Sequence, residues 1–92
     1  MATQSRTATI ASSVGLHARP AALFVQAAGA TGAEVTIARP GEEPVDATSI
    51  LGVMALGAKH GEDVELTVTG DDPDAALDSL VDLLSQDLDA AH

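Results

Sequence analysis

One aromatic side chain, Phe24, serves a chain of 92 residues, and that scarcity limits how a core can be built. With 46% of the residues apolar, the interior has to be filled by Ala, Val, Leu and Ile. Those side chains pack best between helices and a sheet. A chain of this length fits one domain, residues 1–92, with no room for a second. Such a domain buries roughly 60–65% of the surface its unfolded chain exposes, so the core must be economical.

The apolar pattern supplies the elements. Thr7 to Ser12 alternates partially and reads as a strand. Ala21, Phe24, Val25 and Ala28 recur at helical spacing over Ala18 to Ala28, with Gly29 and Gly32 as stops. Ala33 to Ala38 alternates with period two, and Pro40-Gly41 turns the chain into a return strand over Glu43 to Ala47. Ser49 opens and Gly57 closes an apolar stretch that strand and helix could both claim; the Ser start and Gly end favour a short helix. Val64, Leu66 and Val68 mark the clearest strand, Asp63 to Thr69. Asp72 then caps a last helix with Pro73 in its first position and Asp74 beside it. Leu77, Leu80, Val81, Leu84 and Leu88 form its stripe, and Ala90-Ala91-His92 is expected to fray. The order is βαββαβα. Hairpin-joined strands and single-striped helices give an α+β fold, an antiparallel sheet with helices on one face.

Charge narrows the function. Fourteen acidic residues against four basic ones leave a net charge of -10, which disfavours nucleic acid as a partner. The acids are unevenly placed: none precedes Glu34, whereas Arg6 and Arg19 lie in that stretch. Without Cys there is neither a disulfide framework nor thiolate chemistry, which agrees with a reducing cytoplasm. Met1 to Ser5 has no apolar run of the signal-peptide kind, and no stretch is long enough to enter a membrane as a span. Three scattered histidines, His17, His60 and His92, have no metal-ligand spacing. The acid pairs Glu42-Glu43, Glu62-Asp63 and Asp71-Asp72 lie at turns and read as solvated charge.

Chemistry concentrates in Gly15-Leu16-His17-Ala18-Arg19-Pro20, where the first strand gives way to the first helix. The leading N–H groups of a helix lack internal partners, and the macrodipole adds partial positive charge. Such an end receives anions. Arg19 adds a planar cationic fork suited to phosphate oxygens, and Pro20 has no N–H to leave unpaired. Gly15 lets the chain bend and permits close approach. The same helix end disfavours an imidazolium at His17, which keeps a ring nitrogen nucleophilic. The ordinary reading of a lone His at a helix start is a cap or a solvated side chain. Together these residues point instead to phosphoryl relay through His17, which calls for no cofactor and no metal.

This string, followed by an Ala-rich amphipathic helix, closely resembles the signature of HPr, the histidine phosphocarrier family of the bacterial phosphoenolpyruvate-dependent sugar phosphotransferase system. The resemblance runs over essentially the whole chain and includes Ser49-Ile50-Leu51-Gly52-Val53-Met54-Ala55-Leu56-Gly57. It implies an open-faced β-sandwich of four antiparallel strands with three helices on one face. It implies that His17 takes a phosphoryl group on Nδ1 from phosphorylated enzyme I and passes it to enzyme IIA, with Arg19 and Ala18 at the phosphoryl group. Val14 stands where relatives often carry Asn or Ser, which removes a side-chain donor unless Ser12 or Ser13 replaces it.

The resemblance also makes Ser49 a candidate for regulatory phosphorylation, although Thr48 replaces a Lys common beside it. Its structural reading is a helix cap worth about 1 kcal/mol. Ile50, Leu51 and Met54 cannot all face inward on one short helix. At least one is expected to stay exposed in an apolar docking patch with Ala18 and Ala22, serving enzyme I, enzyme IIA and any regulator or serine kinase. A relay protein of this kind is expected to be monomeric and cytoplasmic. The competing readings are a non-phosphorylated binding module and a regulatory, interaction-only paralogue of the same fold. Retention of both His17 and Arg19 argues against each.

Overall fold

The computed structural model describes residues 2–11, 15, 16 and 18–86. Their elements run β1 (Ala2–Thr9), α1 (Ala18–Ala30), β2 (Glu34–Ala38), β3 (Val45–Asp46), α2 (Ile50–Ala55), β4 (Asp63–Gly70) and α3 (Pro73–Leu84). The strands form a four-stranded antiparallel sheet in the order β1-β4-β2-β3.

β4 lies inside the sheet, and its alternation is complete: Val64, Leu66 and Val68 are buried. Val35 and Ile37 of β2 and Ala8 of β1 join them on the face that the helices cover. From α1 come Ala21, Phe24 and Ala28, from α2 Val53, and from α3 Leu77, Leu80 and Leu84. Phe24, the one aromatic residue, is 0% exposed at the middle of this layer. Burying a side chain of that size stabilises the fold by about 1.5–3 kcal/mol.

β1 departs most from the sequence reading, which starts the strand at Thr7. The ladder begins five residues earlier, with Ala2 opposite Gly70 and Thr9 opposite Asp63. Residues 2–5 are exposed on this edge strand and bury nothing, so apolar alternation gives no sign of them. Hydroxyl pairs across the ladder take its place: Thr3 with Thr69 at 2.9 Å and Ser5 with Thr67 at 3.0 Å. The strand also ends earlier than Ser12, which lies outside the described residues. Ile10 is buried, and its N–H donates to the Glu62 carbonyl at 2.9 Å in place of the β1–β4 ladder.

β3 is shorter than the expected Glu43 to Ala47, because Pro44 offers no N–H to a ladder. α1 runs through Gly29 to Ala30 and is stopped by Thr31 and Gly32, whose φ of +70° suits a helix end. The Asp72 carboxylate caps α3, accepting the Ala75 N–H at 3.3 Å. Leu88 and the C-terminal residues expected to fray lie outside the described residues.

Candidate functional site

His17 and the neighbouring positions Ser12, Ser13 and Val14 lie outside the described residues, as does His92. The described chain on either side defines what His17 is attached to. Before it, Gly15 has a φ of +73°. A Cβ at that position would stand 2.5 Å from the Ala58 carbonyl oxygen and 2.9 Å from the Lys59 Cα. Only glycine lets the two backbones meet, and the close approach is made by this chain's own Ala58–Lys59 stretch. The Leu16 N–H donates to the same Ala58 carbonyl at 2.9 Å, and the Leu16 side chain is buried in the core. After it, α1 begins at Ala18, and Pro20 is fully buried. His17 is thus bonded between two anchored pieces of backbone.

Electrostatics at this end of α1 are one-sided. The first turn contains no acidic residue, and Arg19 is exposed. Among the described residues, ion pairs engage Arg6 with Asp74 and Asp78, and Arg39 with Glu42 and Glu62. Neither Arg19 nor Lys59 takes part in them. The helix macrodipole and an exposed guanidinium that pairs with no acid among the described residues are features suited to an anion.

α2 packs beside α1 and brings the second motif to it. Ser49 caps it: the side-chain oxygen accepts the Gly52 N–H at 3.2 Å, and the hydroxyl group is exposed. Asp46 shapes the approach, accepting from both the Thr48 hydroxyl at 2.6 Å and the Thr48 N–H at 2.9 Å. Those two bonds, the hydroxyl first, hold its carboxyl below its ordinary pKa. Val53 turns inward, whereas Ile50 is 41% and Leu51 79% exposed. Met54 and Ala22 are half-buried, and Met54 packs partly on the core. Of Ile50, Leu51 and Met54, two therefore face outward, one more than the minimum expected.

The stretch after α2 is the part of the site that sequence reasoning misses. Glu62 is not simply solvated charge: one carboxylate oxygen accepts the Lys59 N–H at 2.8 Å and the other the Arg39 guanidinium at 3.3 Å. Asp63 likewise accepts the Thr9 hydroxyl at 2.7 Å. Glycines at 57 and 61, both at positive φ, mark the stretch as a shaped turn, and their spacing around Lys59 is the only signal in the sequence. His60 is exposed there.

The chain matches the family model for the PTS HPr component phosphorylation site over residues 4–86. The phosphocarrier protein HPr of Streptomyces coelicolor is 48% identical over 75 residues, covering 82% of this chain and 81% of that protein. The crystal structure of HPr-C-His from Thermoanaerobacter tengcongensis superposes with a TM-score of 0.86 at 38% identity, covering 97% of this chain and 99% of that one. A crystal structure of the Bacillus anthracis phosphocarrier protein HPr gives 0.84 at 36% identity, covering 91% and 99%. Fold, motif order and these likenesses agree, and the chain belongs to the HPr family of phosphocarrier proteins of the phosphotransferase system, carriers of phosphoryl groups rather than catalysts.

Proposed function

We propose that the whole chain is one cytoplasmic phosphocarrier unit in which His17 accepts a phosphoryl group from phosphorylated enzyme I and delivers it to enzyme IIA of a sugar-uptake system. A phosphorus–nitrogen bond forms at Nδ1 of His17 as the donor's bond breaks. The exchange repeats in the forward direction on the acceptor. Neither cofactor nor metal enters, since a phosphorylated imidazole leaves without an acid. The observation that carries this reading is the start of α1, with no carboxylate in its first turn and an exposed Arg19 two residues from His17. Arg19 and the N–H groups beginning at Ala18 are then the groups that hold the phosphoryl oxygens.

Docking falls to Ala18, Ala22, Ile50, Leu51 and Met54. A partner closing over His17 has to exclude water, and an apolar, charge-poor surface does that without burying unpaired charge. Ser49 is the position for regulatory phosphorylation: its hydroxyl is exposed at the cap of α2. Phosphate there would add negative charge beside the docking residues and oppose enzyme I.

Incubation with phosphoenolpyruvate and enzyme I, followed by intact-mass measurement, tests the reading. The wild type should gain one acid-labile, base-stable phosphoryl group, and His17→Ala should gain none. His60→Ala and His92→Ala should behave as wild type. Uptake by His17→Ala, or no uptake by the wild type while enzyme I still binds, would replace the relay with an interaction-only role.

A further inference from the structure

The backbone leading into and out of the segment before His17 meets one and the same turn. At the exit from β1, the Ile10 N–H donates to the Glu62 carbonyl at 2.9 Å and the Ile10 carbonyl accepts the Gly61 N–H at 2.8 Å. At the entry to α1, the Leu16 N–H donates to Ala58 at 2.9 Å, with Gly15 set against Ala58 and Lys59. Residues 58–62 therefore act as a template for both ends.

That template is itself closed by one side chain. Glu62 spans it, accepting the Lys59 N–H at 2.8 Å, while the Glu62 N–H donates to the Lys59 carbonyl at 3.0 Å. Arg39 fixes the outer carboxylate oxygen from the end of β2 and reaches the Leu56 carbonyl at 3.5 Å. Glu62 and Arg39 touch neither the docking residues nor the first turn of α1 through any of these bonds.

We infer that Glu62, buttressed by Arg39, is a positioning residue for phosphoryl transfer: it fixes the 58–62 turn and through it the placement of the His17 imidazole. The inference rests on the reading of His17 as the phosphoryl acceptor. Transfer between two imidazoles needs the reacting atoms in line and close, and small misplacements remote from the chemistry are costly in rate. Docking is untouched, so the effect falls on the maximal rate and not on KM.

The test compares Glu62→Ala, Glu62→Gln and Val68→Ala, the last a core truncation on β4 that lowers stability without touching the turn. Transfer from phosphorylated enzyme I and the imidazole NMR signals of His17 are recorded at a temperature where all three are folded. Glu62→Ala should lose about tenfold in maximal rate with KM unchanged, and its His17 signals should move. Glu62→Gln keeps an acceptor for the Lys59 N–H and should stay within about twofold of wild type. Val68→Ala should match wild type in rate and signals. Wild-type rate in Glu62→Ala, equal slowing in Val68→Ala, or unmoved His17 signals would overturn the inference. If the wild type takes up no phosphoryl group, the acceptor reading fails on its own, and the imidazole signals still decide whether Glu62 places the ring.

Discussion

α1 and α3 both carry a proline in the first turn, and they treat the positive end of the helix in opposite ways. At α3 the Asp72 carboxylate caps the Ala75 N–H, Asp74 follows in the first turn, and both Asp74 and Asp78 pair with Arg6. At α1 the first turn has no acid, and its charged residue is an exposed arginine. A carboxylate at a helix start stabilises it by about 0.3–1 kcal/mol through the dipole alone. α3 takes that gain. α1 forgoes it within its first turn, and on the proposed function that end serves the phosphoryl group instead, the usual tension between stability and function.

The largest expected effect concerns how the start of α1 is held. Gly15 and Gly32 share a left-handed φ, +73° and +70°, but a Cβ at Gly15 meets backbone at 2.5 Å and one at Gly32 meets nothing within 4 Å. Gly32→Ala should cost about 1 kcal/mol for the backbone conformation alone. Gly15→Ala should cost about 2–4 kcal/mol, because the Ala58–Lys59 backbone must also give way. Denaturant melts of the two variants check this, and equal losses would mean that the contact of Gly15 with the turn is unimportant.

The docking patch comes next. Leu51→Glu should weaken enzyme I binding by about 1–3 kcal/mol, whereas Asp82→Lys on the exposed side of α3 should change it only through a screened long-range term. Titration calorimetry separates them. Equal losses would move the partner surface toward α3.

Closer to the two helix starts, Asp72→Ala should lower stability by about 1 kcal/mol and leave phosphoryl transfer unchanged. Arg19→Lys should do the converse: transfer slows because the bidentate fork is gone, and stability stays within about 0.5 kcal/mol. A matched pair of melts and transfer assays would show whether the two ends differ as described. The smallest effect is at Asp46. Its folded-state pKa lies below the ordinary 3.8, so the stability it contributes is present above that value and lost as pH falls through the lowered one. Thr48→Val deletes the hydroxyl bond, the larger of the two causes, and keeps the N–H bond, so it should remove most of this increment and flatten the acid limb of a pH-dependent melt slightly.

Much of the architecture is legible in the sequence because its cues are physical. Val64, Leu66 and Val68 announce β4 by alternation, and Asp72-Pro73-Asp74 announces the start of α3 by capping chemistry. β1 is legible only in part, since Ala2 to Ser5 is held by ladder hydrogen bonds and hydroxyl pairs that carry no apolar pattern. The chemistry proposed for His17-Ala18-Arg19 can be argued from the sequence because helix-end electrostatics are local. What anchors the Gly15-Leu16 backbone before it cannot: Ala58 and Glu62 lie more than forty positions away, and acids at a turn look solvated until the fold pairs them.

The central claim is that the acid-free start of α1 receives the phosphoryl group at His17. Histidine ring signals, recorded by NMR before and after incubation with phosphoenolpyruvate and enzyme I, test it most directly. The account predicts that the His17 ring alone takes up the phosphorus–nitrogen coupling, at Nδ1, with amide shifts centred on Ala18 and Arg19 and none on the first turn of α3. Coupling at His60 or His92, or amide shifts centred on Asp72, Asp74 and Ala75, would contradict it.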